Sequence, residues 1–151
     1  MKEFKNKHIG SYGVILDGGK IALIKKSRGG YKGKLDLPGG GIEHGELPID
    51  ALKREMMEEL GIEIHNIKLL DVSSVTFKWH LDENTIEDLH HIGIFYTADF
   101  KSKDLKTTED GQDSLGAKWY PITELKKEEL SPFTILVLEK LGHSFHKTLR
   151  S

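Results

Sequence analysis

Two short apolar runs, Ile9 to Leu16 and Ile21 to Lys26, predict a pair of strands, and Asp17-Gly18-Gly19 between them predicts a hairpin turn. Ser27 to Lys34 is a Gly- and Lys-rich loop, and Leu35-Asp36-Leu37 a brief strand. Pro38 followed by Gly39-Gly40-Gly41 predicts an irregular turn, since glycine admits backbone conformations that other residues resist. Further on the period lengthens. Ile49, Leu52, Met56 and Leu60 fall within a stripe of roughly 80° at 100° per residue, which predicts a helix with one buried side. Pro48 suits its first turn and Gly61 its C-terminal stop. Strand material returns over Ile62 to Lys78, Leu89 to Phe100 and Ala117 to Pro121, with Lys101 to Gly116 as a polar loop. Ser131-Pro132 then opens a terminal helix, Phe133 to Leu141, with Ser131 as N-cap and Gly142 as stop. Strands with one internal and one C-terminal helix predict an α/β class, a mixed sheet sandwiched between helices (α/β/α).

Composition narrows the field. The 151 residues fit one domain spanning 1–151, and no internal repeat or Pro/Ser/Gly-rich linker divides it. Lys and Arg number 22 against 24 Asp and Glu, so charge makes no strong appeal to nucleic acid or a membrane surface. There is no cysteine, which excludes disulfides, thiolate metal sites and a cysteine nucleophile. MKEFKNKHIG has no apolar core of a signal peptide, and no stretch approaches the ~20 apolar residues of a membrane span. The expectation is a soluble cytoplasmic protein.

The central helix carries a conflict. Glu55, Glu58 and Glu59 stand at i, i+3 and i+4, within a sector of about 100° outside the apolar stripe. Like charges at that spacing repel, and Glu58 and Glu59 also sit in the last turn, at the negative end of the helix dipole. Two such penalties together call for a compensating positive charge, with a divalent cation the obvious candidate.

The full spacing is Gly40, five residues, Glu46, seven residues, Arg54-Glu55, then Glu58-Glu59 and Gly61-Ile62. It resembles the Nudix box, G-x5-E-x7-R-E-U-x-E-E-x-G-U with U a bulky apolar residue. Every fixed position is met, with Met56 and Ile62 at the U sites. The order of strands, loop, box over 40–62, strands and final helix is likewise similar to the Nudix fold, so the resemblance covers nearly the whole chain.

That resemblance implies hydrolysis of the pyrophosphate bond of a nucleoside diphosphate linked to another group, assisted by Mg²⁺ or Mn²⁺. By the same analogy Glu55, Glu58 and Glu59 are metal ligands, with the Gly40 carbonyl a further one. Glu46 and Arg54 are structural, tying the helix to the preceding loop. Glu55 and Glu58 are catalytic candidates; one of the glutamates, or an acid from a later loop, deprotonates the attacking water. In that loop Asp110 and Glu109 are the candidates, with Asp113 behind them. Hard oxygen donors suit Mg²⁺ or Mn²⁺ independently of any family. The bland alternative is a solvated acidic face steadied by Arg54 and Glu58; it leaves the glycines and Glu46 at fixed offsets unexplained.

Other features weigh less. The glycine-dense stretch from Gly29 to Gly45 is no Walker A loop, because Leu35 follows Gly33-Lys34 where Ser or Thr should bind Mg²⁺. Lys25, Lys26, Arg28, Lys32 and Lys34 could meet substrate phosphates, with Arg28, Lys34, Gly39 and Gly40 the substrate-binding candidates; a solvated basic loop is the alternative. His90 and His91, adjacent on a strand, point to opposite faces and do not chelate one metal. Phe77, Trp79, Tyr96 and Trp119 could include a base-stacking residue.

The substrate expectation is a small-molecule nucleotide, a nucleoside triphosphate or a modified one. No proline between Pro48 and Pro121 provides the marker of ADP-ribose hydrolases, and no basic stripe announces a long nucleic acid. Open alternatives are an inactive nucleotide sensor and a hydrolase of capped or 5′-triphosphate RNA ends or of dinucleoside polyphosphates. A prenyl diphosphate isomerase of the same superfamily would need a catalytic cysteine. Oligomeric state is not readable from the chain; homodimers are common in the family, and a homodimer is possible by that analogy alone.

Overall fold

The structure, a computed structural model, describes residues 1–109 and 114–145. Its elements are β1 (Lys2–Val14), β2 (Leu16–Asp17), β3 (Lys20–Lys26), β4 (Leu35–Asp36), β5 (Gly39–Gly41), α1 (Pro48–Glu55), β6 (Ile64–Asp82), β7 (Thr85–Phe100), β8 (Ser114–Pro121) and α2 (Pro132–Lys140). One sheet runs β5-β1-β7-β6, with β1 and β7 parallel and the other pairs antiparallel. In the second, β3 pairs β8 along one edge and β2 and β4 along the other.

Period-two alternation divides the core between two faces. Tyr12, Val14, Ile21, Leu23 and Phe95 turn towards Phe133, Val137 and Leu138 of α2. Their neighbours Ile15, Ala22, Ile24 and Tyr96 turn the other way, towards Leu52 and Met56 and Leu60 behind them. The apolar stripe read from the sequence is the buried one, except that Ile49 lies outside it, exposed at the first turn. Ser131 caps α2, its hydroxyl accepting the Thr134 N–H, and donates to the buried Asp36 carboxylate at 2.6 Å. No helix among the described residues is long and apolar enough to cross a membrane.

Three differences from the sequence reading matter for the site. The polar start is strand, because Lys2 to Asn6 pair in parallel with Thr85 to Leu89, backbone bonding that needs no apolar side chains. Gly39–Gly41 is a strand rather than an irregular turn, paired with Gly10, Ser11 and Tyr12. The central helix also changes pitch: α1 ends at Glu55, and Met56–Leu60 forms a π-helical turn in which the Gly61 N–H reaches the Met56 carbonyl. Gly61 closes it in the left-handed conformation, φ 69°.

Candidate active site

Parallel register lays side chains of β1, β7 and β6 in rows on one face of the first sheet. Phe4, Glu87 and Trp79 form one row, Asn6, Leu89 and Phe77 the next, then His8, His91 and Val75, then Gly10, Gly93 and Ser73. Gly41 pairs with Gly10 at the far end, so β5 brings the glycine run and the acidic helix end to the same face. A cleft of about 600 Å³ covers these rows; it is lined by Asn6, Trp79 and Glu87 at one end and by Gly40, Gly41 and Glu55 at the other.

At the acidic end Arg54 is the hub. Its Nε donates to Glu46 Oε2 and its Nη2 to Glu46 Oε1, both at 2.9 Å, a bidentate pair. Nη2 also donates to the Gly41 carbonyl at 3.1 Å, tying helix to loop, and Glu46 Oε1 accepts the Glu43 N–H at 3.0 Å. Those bonds hold the Glu46 carboxyl down to about 2, below the usual carboxylate range. The remaining Nη1 donates to Glu55 Oε1 at 2.8 Å and Glu58 Oε2 at 3.4 Å.

The three box glutamates stand in different surroundings. Glu59 is 2% exposed, and its Oε1 accepts the Gly39 N–H at 2.7 Å. Glu55 lies against the glycine strand: a Cβ on Gly40 would come within 2.8 Å of its Oε1, so a side chain there would make the carboxylate shift. Glu58 is the most open, its side chain 41% exposed. Part of the positive compensation that the sequence assigns to a metal comes from the protein: Arg54 serves Glu55 and Glu58 besides Glu46, and Lys106 Nζ donates to the Glu58 carbonyl at 3.2 Å near the helix end.

Among the described residues no group of three or more His, Asp or Glu side chains is arranged to hold a metal ion. The donors present are nonetheless hard oxygens: the Glu55 and Glu58 carboxylates and the Gly40 carbonyl, in a recess that a side chain at Gly40 would fill. Such a set fits a hard divalent cation, which takes one or two carboxylates and completes its shell with water and substrate phosphate.

At the other end Glu87, 8% exposed, receives the Trp79 indole N–H on Oε1 and the Asn6 amide on Oε2, each at 2.6 Å. Between the ends, His91 is 4% exposed and joins the hydroxyls of Tyr12 and Tyr31.

The five basic residues of the early loop separate. Lys26 and Arg28 line this cleft. Lys34 does not: its Nζ donates to the Glu128 carbonyl at 2.6 Å, and with Lys25 and Lys32 it lines a different hollow beside Tyr120. Glu109 is exposed, and Asp110 and Asp113 lie outside the described residues. Of the four aromatic candidates, Phe77 and Trp79 belong to the cleft face, whereas Tyr96 packs in the α1 core beside Trp119. Sequence reasoning missed Asn6, Glu87 and the Tyr12–His91–Tyr31 group; a β1–β7 pairing would have pointed to Asn6 and Glu87, and Phe4 is the sole apolar side chain of Lys2 to Asn6 to signal it.

The NUDIX domain family model matches residues 6–141, and the chain belongs to that family. A crystal structure of a MutT NUDIX hydrolase from Burkholderia pseudomallei superimposes with TM-score 0.73 at 28% identity, over 90% of this chain and 98% of that one. Nucleoside triphosphatase NudI of Escherichia coli is 31% identical over 107 residues, 66% of this chain and 74% of that protein. The mouse 8-oxo-dGDP phosphatase NUDT18 is 29% identical over 127 residues, 83% of this chain and 35% of that protein. The chain spans about a third of the length of such longer relatives.

Proposed function

We propose that this chain hydrolyses the pyrophosphate bond of a nucleoside diphosphate linked to another group, most naturally a nucleoside triphosphate or a modified one, with Mg²⁺ or Mn²⁺. The observation that carries the reading is the single cleft joining Gly40 and Glu55 at one end to Asn6, Trp79 and Glu87 at the other. A nucleotide laid along the rows of β1 and β7 places its phosphates beside the carboxylates and its base beside Trp79.

Glu55, Glu58, Glu59 and the Gly40 carbonyl would hold the cation, which supplies a Lewis acid for phosphate oxygens and a lowered pKa for bound water. Lys26 and Arg28 face the phosphates and offset their charge. Water oxygen attacks phosphorus, the anhydride P–O bond breaks, and a carboxylate takes the water's proton. Glu58, the most exposed of the three, is the base assigned, with Glu55, Glu109 and Asp110 the other acids proposed. Glu46 and Arg54 hold this end together. Residues 1–151 act as one Nudix unit, in the cytoplasm, on small nucleotides, as a monomer or homodimer.

A second reading, a nucleotide sensor without turnover, draws support from Arg54, whose Nη1 engages both Glu55 and Glu58. Incubating the chain with a panel of canonical and oxidised nucleotides plus Mg²⁺ or Mn²⁺ separates the two. Release of phosphate or pyrophosphate, lost in Glu58→Gln, is the expected result; binding without release from any compound would establish the sensor instead.

A further inference from the structure

A chain of three hydrogen-bonded rings runs from the core to the cleft wall. Tyr12 Oη lies 2.6 Å from His91 Nε2, and His91 Nδ1 lies 2.9 Å from Tyr31 Oη. All three residues are buried, and all three line the cleft. Burial, with His8 and Lys26 nearby, pushes the His91 imidazole down to about 3, so it is neutral at physiological pH. A neutral imidazole has one N–H and one lone pair; it donates to one tyrosine and accepts from the other.

Tyr12 decides the direction. Among the described residues its hydroxyl has no hydrogen-bond partner besides His91. If His91 donated to it, the hydrogen left without an acceptor would be that of Tyr12, the more deeply buried of the two hydroxyls, where desolvation costs more than at Tyr31 on the cleft wall. Tyr12 therefore donates to Nε2, and the Nδ1–H donates to Tyr31 Oη. That leaves the Tyr31 hydrogen uncommitted. Burial and the Asp36 charge push the Tyr31 phenol well up, so it keeps that hydrogen.

Tyr31 is also fixed in place. Its ring stacks on Phe77 at 5.0 Å and 20°, and Gly30 lies flush on the same ring, where a Cβ would come within 2.2 Å of Phe77 Cζ. Its hydroxyl sits at the row of His8 and His91, midway between the acidic end and the Trp79 end, in a cleft that Lys26 and Arg28 also line.

We propose that Tyr31 is a substrate-binding residue whose hydroxyl donates to an α-phosphoryl oxygen of the bound nucleotide, aimed by Tyr12 and His91 as positioning residues. The midway position selects the α-phosphoryl group, and the neighbouring cations suit an anionic acceptor. The proposal rests on reading the cleft as a nucleotide site, but its first test does not.

Nitrogen-15 NMR of the His91 ring in the ligand-free chain should show a protonated Nδ1 and a bare Nε2; the opposite tautomer overturns the relay whatever the chain hydrolyses. The second test is calorimetric binding of ATP, GTP, CTP and UTP with Ca²⁺. Tyr31→Phe, which keeps the stack, should weaken binding about tenfold. Tyr12→Phe should weaken it comparably without touching the nucleotide, and the double variant should be no worse than Tyr31→Phe alone. Unchanged affinity in Tyr31→Phe, additive losses in the double variant, or no binding of any of the four by the wild type overturns the binding role. Binding that follows this pattern without any turnover would sink the hydrolase reading and leave this one standing.

Discussion

Arg54 and Glu46 face each other with two parallel 2.9 Å bonds, Nε to Oε2 and Nη2 to Oε1. The pair sits at the junction of helix and loop, and Arg54 also holds the Gly41 carbonyl, so it sets where β5 runs relative to Glu55. Glu46→Gln keeps the shape and removes the charge. A lower thermal midpoint and a fall in turnover of about tenfold are expected, since a misplaced carboxylate costs rate even where binding survives. The pH dependence has a definite sign. Glu46 titrates at about 2 in the folded chain against 4.5 unfolded, so its contribution is whole above pH 4.5 and disappears as pH falls towards 2. Urea midpoints at pH 6, 4 and 3 should drop more steeply in wild type than in Glu46→Gln; parallel curves would argue against the brace.

Glu55→Gln and Glu58→Gln remove charge from the two carboxylates that Arg54 Nη1 engages. Each should lower kcat by ~10²–10⁴-fold, the range for losing a positioned acid or base. Mn²⁺ affinity, followed by paramagnetic relaxation of water, should fall alongside. Wild-type Mn²⁺ affinity in both variants would mean that the ion binds elsewhere.

Arg28 and Lys34 looked equivalent in the sequence and are separated in space. Arg28→Ala should raise KM about tenfold by removing a cation from the cleft wall. Lys34→Ala should leave KM within about twofold, because Lys34 reaches the Glu128 carbonyl at another hollow. Steady-state kinetics on the best substrate of the panel decides; a larger effect at Lys34 would reverse the assignment.

His91 makes the fold sensitive to mild acid. Its folded-state pKa of about 3 lies below the ordinary 6.5, so the unfolded chain takes up a proton that the folded chain refuses. Stability is fully present above about pH 6.5 and declines as pH falls towards 3. Between pH 7 and 5, above the Glu46 window, the urea midpoint should fall in wild type and more shallowly in His91→Gln. A midpoint that rises over that interval would contradict a buried neutral imidazole.

The parts of the site that could be read from the chain are local. Gly40, Glu46, Arg54 and the three glutamates lie close together along the chain, from β5 through α1 to the π-helical turn, where spacing largely decides which side chains meet. The helix stripe was readable for the same reason, although the π-helical turn at Met56–Leu60 was not: nothing in MMEEL departs from α-helical propensity, and the turn is set by packing and by the Gly61 cap. The other half of the cleft depends on strand pairing across long separations. Asn6 and Glu87 are 81 positions apart, and no local period announces that they touch. Asn6 and His8 also sit in a lysine-rich segment whose composition reads as solvated chain. The basic loop divides for a different reason: it folds back so that Gly33 and Lys34 bond to Lys26, and proximity in sequence to Arg28 says little about Lys34.

The parallel pairing of β1 with β7 has a consequence for how the molecule comes into being. The glycine strand, the acidic helix end and its arginine all emerge early, yet the surface they work against is closed only when Thr85 to Thr97 align beside residues 2–14. Pairing across so much intervening chain forms slowly, because the loop must close before its contacts reward it. Until β7 pairs, the edge of β1 opposite β5 is bare. Its N-terminal half is guarded in that interval by Lys2, Lys5 and Lys7, charges that discourage pairing with a neighbouring nascent chain. The polar opening of the sequence, uninformative as a folding signal, has the charge that disfavours edge-to-edge association of a strand whose partner lies far along the chain.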